Sequence, residues 1–267
     1  MKQFELNPYS FRNLLPKVKA QITEEANHRL IVYPDGDMVQ RHLSVGSTFC
    51  RSVVSMGYLT QEQMNHAAVR YRLGMSRDGG VIFWQIGHFN HMYDGKIMYY
   101  RSDCHRDHDH LPTWVMAELK AFYLADCLDI AADLQSTHCL FGMHLLDDEI
   151  MATMPVAVVE AEKTAVIMSE IYTDYLWMAA GGMNELTAAK LFPLRGRKII
   201  LMPDTDEHHQ AYSNWFKICK EAQRLLGHPI HLSPLLEQKA STDQKHRKID
   251  ILDYYFETIK PSLSTQK

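Results

Sequence analysis

Several features that mark other classes of protein are missing from this sequence of 267 residues. Its five cysteines never form a Cys-x-x-Cys pair, which favours free thiols in a reducing compartment over a disulfide framework. The first ten residues lack the apolar segment of a signal peptide, and no uncharged run approaches the roughly 18 residues that a membrane span needs. We therefore expect a cytoplasmic protein without a membrane partner.

An excess of charge of one sign is also missing. The chain has 28 Lys+Arg against 32 Asp+Glu, a formal net charge of -4. Bulk charge therefore gives no support to nucleic-acid binding, and any basic surface must be local. A length of 267 residues suits one large domain or two small ones. Hydrophobic residues make up 46% of the chain, which is enough for a sizeable core.

Three short apolar runs alternate with predicted helices between Pro155 and Trp215. The first, residues 156–159, is uniformly apolar, as is typical of a strand buried on both faces of a parallel sheet. The pattern predicts an α/β fold with a mainly parallel sheet flanked by helices, preceded by a smaller α+β subdomain. The predicted parts are a helical lead-in (1–70), the α+β subdomain (71–150), the sheet domain (151–235) and a helical tail (236–267).

Carboxylates follow two of the three apolar runs. Glu160 and Glu162 come after the first run, and Asp204 and Asp206 come after the third. Open α/β sheets place their sites at the carboxyl ends of parallel strands, and hard cations such as Mg²⁺ prefer carboxylate oxygen. The simpler alternatives are a charge at a helix N-terminus, worth ~0.3–1 kcal/mol, for the glutamates and an ordinary turn for Asp-x-Asp.

A glycine pair and a lysine indicate a place for phosphate. Gly181 and Gly182 follow the second apolar run, where paired glycines let the backbone turn tightly and approach a phosphate. Lys163 stands in the first turn of the helix predicted after Glu160 and could contact the same group.

Basic residues alternate with aromatic ones between Arg70 and Arg101, in a segment that predicts a hairpin or small antiparallel sheet. Proteins bind single-stranded nucleic acid through basic side chains near the phosphates and aromatic rings that stack on the bases. Arg72, Lys96 and Arg101 are therefore candidates for such contacts. The alternative is an ordinary sheet with a solvated charged face.

The string Cys104–His110, CHRDHDH, has the composition of a metal site. Zinc sites usually take their ligands as two pairs from distant places, and no second pair with the right spacing is present. We therefore expect a polar surface loop and no zinc site.

The order of these motifs resembles the toprim domain, the metal-binding fold of bacterial primases, topoisomerases and certain nucleases. Glu160 takes the glutamate position of the family's first motif, Gly182 its middle glycine, and Asp204 and Asp206 its Asp-x-Asp. The resemblance covers about residues 154–232. It extends upstream, where the segment 71–98 is similar to the N-terminal part of the primase polymerase core.

Two residues depart from the toprim pattern, and one tail segment extends it. Ala161 replaces the usual glycine, and Thr164 stands where primases often have an aspartate, which removes one possible metal ligand. Downstream, Asp250-Ile-Leu-Asp253-Tyr resembles a short tail of such proteins. Asp250 is either a further neighbour of the metal or the cap of a terminal helix.

The resemblance implies a primase-like nucleotidyltransferase that uses Mg²⁺ or Mn²⁺ in the replication of a phage or mobile element. Asp204 and Asp206 would hold the metal, with Glu160 as a ligand or general base. Its partners would be single-stranded DNA, nucleotides and a separate helicase or zinc-ribbon protein, because neither a zinc ribbon nor a GxxxxGK[ST] motif is present. Two alternatives are a toprim nuclease and a non-catalytic, nucleic-acid-binding accessory protein.

Overall fold

A computed structural model describes residues 36–125 and 138–261. The first half of the predicted lead-in (1–35) and the last residues of the predicted tail (262–267) lie outside these ranges. The apolar pattern over 118–134 predicts a helix, and its end, from residue 126, also lies outside them. The chain divides into two compact units, Met1–His138 and Cys139–Lys267. Each unit contains its own sheet.

The N-terminal unit begins with helices. They are α1 (Gly36–His42), α2 (Thr48–Ser55) and α3 (Gln61–Arg70). The sequence predicts one helix over Met38–Met56, and this is wrong because residues 43–47 interrupt it. The Ser47 side chain accepts the backbone N–H of Cys50, so that this serine starts α2 as a new helix. The sequence Thr60-Gln61-Glu62-Gln63 predicts a capping box, and the structure confirms it at the start of α3.

Four antiparallel strands follow, and they confirm the predicted small sheet. They are β1 (Gly74–Met75), β2 (Val81–Ile86), β3 (Met92–Met98) and β4 (Thr113–Trp114), paired in that order, with α4 (Val115–Ala125) after them. Every residue of β2 is buried. Trp84 and its neighbours on one face pack with residues of α1 and α4, whereas Phe83 on the other face contacts the rings of Phe49 and Tyr100. The sheet is therefore the core of this unit.

The C-terminal unit contains a parallel sheet flanked by helices, which confirms the predicted α/β class. In chain order its main elements are β5 (Val156–Val159), α5 (Glu162–Ile171), β6 (Leu176–Ala179), β7 (Ile199–Leu201), α6 (Gln210–Leu226) and β8 (His231–Leu232). The strands are all paired in parallel, in the order β6-β5-β7-β8. Every residue of β5 and of β6 is buried, as their apolar sequences require.

The strand order defines a topological switch point between β5 and β7. From β5 the chain moves to β6 on one side, and it then returns to β7 on the other side. Because such crossovers are almost always right-handed, α5 and α6 cover opposite faces of the sheet. Ligands of open α/β sheets bind in the crevice that this reversal opens outside the carboxyl ends of the strands.

Short helices complete the described chain. They are α7 (Leu235–Lys239), α8 (Thr242–His246) and α9 (Ile251–Tyr254), the last of which continues into a π-helical turn, Tyr255–Ile259. α9 packs against α5. Among the helices described, none combines the length and apolar character that crossing a bilayer requires.

Candidate acidic site at the parallel strand ends

The strand register brings two of the predicted carboxylates to the switch point. Glu160 directly follows β5, and Asp204 follows β7, whose Leu201 pairs with Val158. The pairing continues as the Met202 N–H donates to the Val158 carbonyl at 2.9 Å. The backbone N–H of Asp204 then donates to the Glu160 carboxylate. Glu160 and Asp204 are therefore neighbours, as the sequence predicts.

Glu160 is a buried carboxylate that protein groups do not fully satisfy. The residue is 7% exposed, and its Oε1 atom has no hydrogen-bond partner among residues 36–125 and 138–261. Burial raises the pKa of Glu160 to about 7, and the negative charges of Asp250 and Asp206 add to this rise. A buried acceptor without a donor is costly, and a bound water or ion at this atom would lower that cost.

Asp204 shares the same environment. Part of the residue reaches solvent, but its carboxyl group is enclosed by protein. Burial, followed by the charges of Glu160, Asp250 and Asp253, raises the pKa of Asp204 well above its usual range, while the Lys163 ammonium partly offsets the rise. Lys163 therefore lies within electrostatic reach of the carboxylates, in the first turn of α5.

Two further carboxylates come from α9. Asp250 is the N-cap of this helix and forms a capping box with Asp253, whose N–H donates to Asp250 Oδ1 at 2.8 Å. The other oxygen, Oδ2, accepts a hydrogen bond from the Thr164 hydroxyl. Burial and the nearby charge of Asp250 raise the pKa of Asp253 to about 6. The capped helix predicted at Asp250 is confirmed, and the cap also adds negative charge to the strand edge.

Asp206 has a different environment from Asp204. Its Oδ1 accepts the N–H of His208 and its Oδ2 the N–H of Ala211, both at 2.8 Å. Burial raises the pKa of Asp206, but these N–H groups together with that of Gln210 lower it further, and the net pKa lies below the usual value. Asp206 thus caps the start of α6, and its role as a metal ligand stays a prediction.

A turn of glycines adjoins Glu160. Gly181 and Gly182 have φ angles of +98° and +154°, which glycine adopts without strain. The Gly181 N–H donates to the Glu160 carbonyl at 2.9 Å. The predicted phosphate-binding turn therefore lies next to the acidic site, beside β5.

The loop after β7 is held by the segment that leads to α9. The Thr205 N–H donates to the Ile249 carbonyl at 3.1 Å, and the Thr205 hydroxyl donates to Glu237 Oε1 at 3.2 Å. Glu237 also forms ion pairs with His209 and Lys245. These contacts fix the backbone between Asp204 and α6.

The predicted nucleic-acid contacts lie on separate segments of the N-terminal unit. Arg72 follows α3, Lys96 lies in β3 opposite Phe83, and Arg101 forms an ion pair with Asp103 at 3.0 Å. Their role stays a prediction.

The described residues contain no ready-made metal site. In residues 36–125 and 138–261, no three or more His, Cys, Asp or Glu side chains are grouped so that they could hold a metal ion. This applies to the string Cys104–His110, where His110 pairs with Asp107 at 2.8 Å. It also applies to the acidic site, whose carboxylates are coupled by charge without converging on one point.

The sequence did not identify Asp253 as a site residue. The spacing of Asp250 and Asp253 indicates a helix cap, and the structure confirms that cap. No local signal shows that α9 packs against α5 and brings these carboxylates close to Glu160 and Asp204.

Fold and site together define an α/β protein with an acidic strand edge. More particularly, residues 47–205, over half of the chain, match the family described as a Domain of unknown function (DUF6371), and the chain belongs to that family. No curated protein and no solved structure matches the chain. The matched residues include Glu160 and Asp204, whereas Asp250 and Asp253 lie beyond them.

Proposed function

We propose that the acidic site binds Mg²⁺ or Mn²⁺ and carries out primase-like nucleotidyl transfer on single-stranded DNA, in the replication of a phage or mobile element. The observation that supports this most is the environment of Glu160. Its buried Oε1 atom has no donor in the described part of the chain, and Glu160 lies beside Asp204 at the switch point of a parallel sheet. The motif order that resembles toprim adds the reaction class.

The chemistry of the donors suits a hard divalent cation. The side chains of Glu160, Asp204 and Asp250 offer carboxylate oxygen, which Mg²⁺ and Mn²⁺ prefer. Their mutual repulsion and burial are costs that a bound cation relieves. Because the described side chains do not already converge on one point, binding requires these carboxylates to move closer together.

The protein groups have separate roles in this proposal. A divalent cation in the site would supply charge neutralisation for the triphosphate and the attacking 3′-oxygen. Glu160 either binds the cation or takes the proton of the 3′-hydroxyl as a general base, the two roles that the toprim resemblance implies for it. Lys163 and the backbone at Gly181 and Gly182 hold the nucleotide phosphates, as the sequence predicts.

The partners follow from the same proposal. Arg72, Lys96 and Arg101 contact the single-stranded template by charge and by their aromatic neighbours. A separate helicase or zinc-ribbon protein supplies unwinding and template selection. The reaction takes place in the cytoplasm.

One observation favours a second candidate function. In residues 36–125 and 138–261, no three His, Cys, Asp or Glu side chains are grouped so that they could hold a metal ion. A non-catalytic accessory protein that binds nucleic acid on a toprim scaffold accounts for this arrangement.

The test is primer synthesis with single-stranded templates, ribonucleotides and Mg²⁺ or Mn²⁺. We expect template-dependent oligomers from the wild type and from Asp174→Asn, a matched control at an exposed acidic residue of the same unit. Asp204→Asn should lose the products. Wild-type activity in Asp204→Asn contradicts the proposal.

Two other outcomes identify the alternatives. Metal-dependent nicking without nucleotide incorporation indicates a nuclease, in which the same carboxylates activate water. Binding of single strands without Mn²⁺ binding, measured by calorimetry, indicates the accessory protein.

A further inference from the structure

Thr164 joins two elements that the chain brings together from far apart. It lies in α5 with 0% of its surface exposed, and its hydroxyl donates to Oδ2 of Asp250, 86 residues further along the chain. Oδ1 of Asp250 accepts the Asp253 N–H at 2.8 Å. Each oxygen of the Asp250 carboxylate therefore has a donor from a different element, which fixes the orientation of the group.

We propose that Thr164 is a positioning residue, whose hydroxyl holds the Asp250 carboxylate at the acidic site so that Asp250 takes part in binding the divalent cation. This inference rests on the proposed function. At Thr164 the sequence alone indicates only the loss of a possible metal ligand. In the structure, Asp250 at the start of α9 places a negative charge beside this position of α5.

The placement of Asp250 supports this role. A helix cap needs only one acceptor for the N–H of the third helical residue, and Oδ1 provides it. Oδ2 is bonded toward α5, the helix that begins two residues after Glu160. The negative charge of Asp250 raises the pKa of both Glu160 and Asp204, so the carboxylate that Thr164 holds lies within electrostatic reach of both.

The test measures Mn²⁺ affinity by calorimetry and thermal stability of the full chain, for wild type and three variants. Thr164→Val removes the hydroxyl and keeps the shape, and Thr164→Ser keeps the hydroxyl. Ser169→Ala is the matched control, because Ser169 is a buried hydroxyl of the same helix that donates to Val166 O within the helix.

We expect Thr164→Val to bind Mn²⁺ about tenfold more weakly, because removing a group that orients a metal ligand typically costs 10–100-fold in affinity. Thr164→Ser should recover most of that loss, and Ser169→Ala should bind as the wild type does. A role in packing alone predicts a lower melting temperature for Thr164→Val with unchanged Mn²⁺ affinity, and this outcome overturns the inference.

A second variant decides the question if Thr164→Val does not fold. Asp250→Asn keeps one oxygen for the helix cap, and asparagine caps helices as well as aspartate does. Its NH₂ group takes the place of Oδ2 and can donate to the Thr164 hydroxyl instead of accepting from it. Because the negative charge is lost, we expect this variant to fold and to bind Mn²⁺ at least tenfold more weakly. Unchanged affinity in Asp250→Asn overturns the inference.

The outcomes separate this inference from the proposed function. If the wild type binds Mn²⁺ and Asp204→Asn does not, but the Thr164 and Asp250 variants bind normally, only the inference fails. If the wild type binds no Mn²⁺, the proposed function fails and the inference fails with it.

Discussion

Each unit of the protein buries a carboxylate, but the two carboxylates differ in how far hydrogen bonds satisfy them. Asp94 in β3 is 0% exposed, and its Oδ1 accepts the N–H groups of Gly95 at 2.6 Å and Met116 at 3.1 Å. Met116 lies in the first turn of α4, so Asp94 caps that helix from a neighbouring strand. Glu160 is similarly buried, yet no described residue donates to its Oε1, and the charges of Asp250 and Asp206 lie near it.

This difference shows which property of a buried acid marks a site. Burying a polar group is tolerated where hydrogen bonds replace those lost to water. The fold of the N-terminal unit uses Asp94, and no further role is needed to explain its burial. Hydrogen bonds from the described residues of the C-terminal unit do not satisfy Glu160 in this way, and the proposed cation would offset the cost of burying it.

The largest change in the free energy of unfolding is expected when Asp94 is replaced. Asp94→Ala leaves two buried N–H groups without an acceptor, each costing about 1–3 kcal/mol, so we expect the free energy of unfolding to fall by about 4 kcal/mol. Urea unfolding followed by circular dichroism measures this. Asp94→Asn keeps an acceptor and should cost much less, and the exposed Asp109→Ala should change little. Equal losses in Asp94→Ala and Asp109→Ala would show that Asp94 is not a structural cap.

Removing the charge of Glu160 should have the opposite effect and raise the free energy of unfolding when divalent cations are absent. Its pKa rises from an ordinary 4.5 to about 7 in the folded protein. Between these values the folded state holds more protons than the unfolded state, so stability falls as pH rises through this window. Above about pH 7 the loss is complete and amounts to roughly 3 kcal/mol at most.

Glu160→Gln removes this loss and should be more stable than the wild type above pH 7, with the gap closing below about pH 4.5. Urea unfolding at several pH values between 4 and 8, with a chelator present, measures the gap. Glu149→Gln, at an exposed residue of the same unit, is the control and should follow the wild type. A gap that does not depend on pH contradicts the raised pKa.

How much the sequence could predict depended on the range of each interaction. The apolar run at Val156–Val159 and the capping box at Thr60 were predicted because neighbouring residues determine them. The meeting of Glu160 with Asp204 also followed from sequence, since parallel strands bring their carboxyl ends to one edge. The arrival of Asp250 at that edge could not be predicted, because it depends on how α9 packs against α5.

The interruption of the predicted helix Met38–Met56 has a similar cause. The pattern of apolar residues continues through the break, but Leu43 forms a bridge with Gly74 and Ser44 donates its N–H to the Leu73 carbonyl. These contacts with the start of the sheet compete with the helix. Local periodicity does not contain them.

The smallest expected changes in stability are those of variants at Asp204 and Asp206, which lie two residues apart in one motif. Asp204→Asn relieves repulsion among carboxylates and should raise the melting temperature without divalent cations, whereas Asp206→Asn should lower it. Asparagine at 206 keeps an acceptor for only one of the two backbone N–H groups, because its NH₂ group cannot accept the other. It also loses the favourable charge at the start of α6, worth about 0.3–1 kcal/mol. Differential scanning calorimetry at pH 7.5 measures both shifts. Shifts of the same sign would contradict the different environments of the two aspartates, because only Asp206 has both carboxylate oxygens bonded to backbone donors.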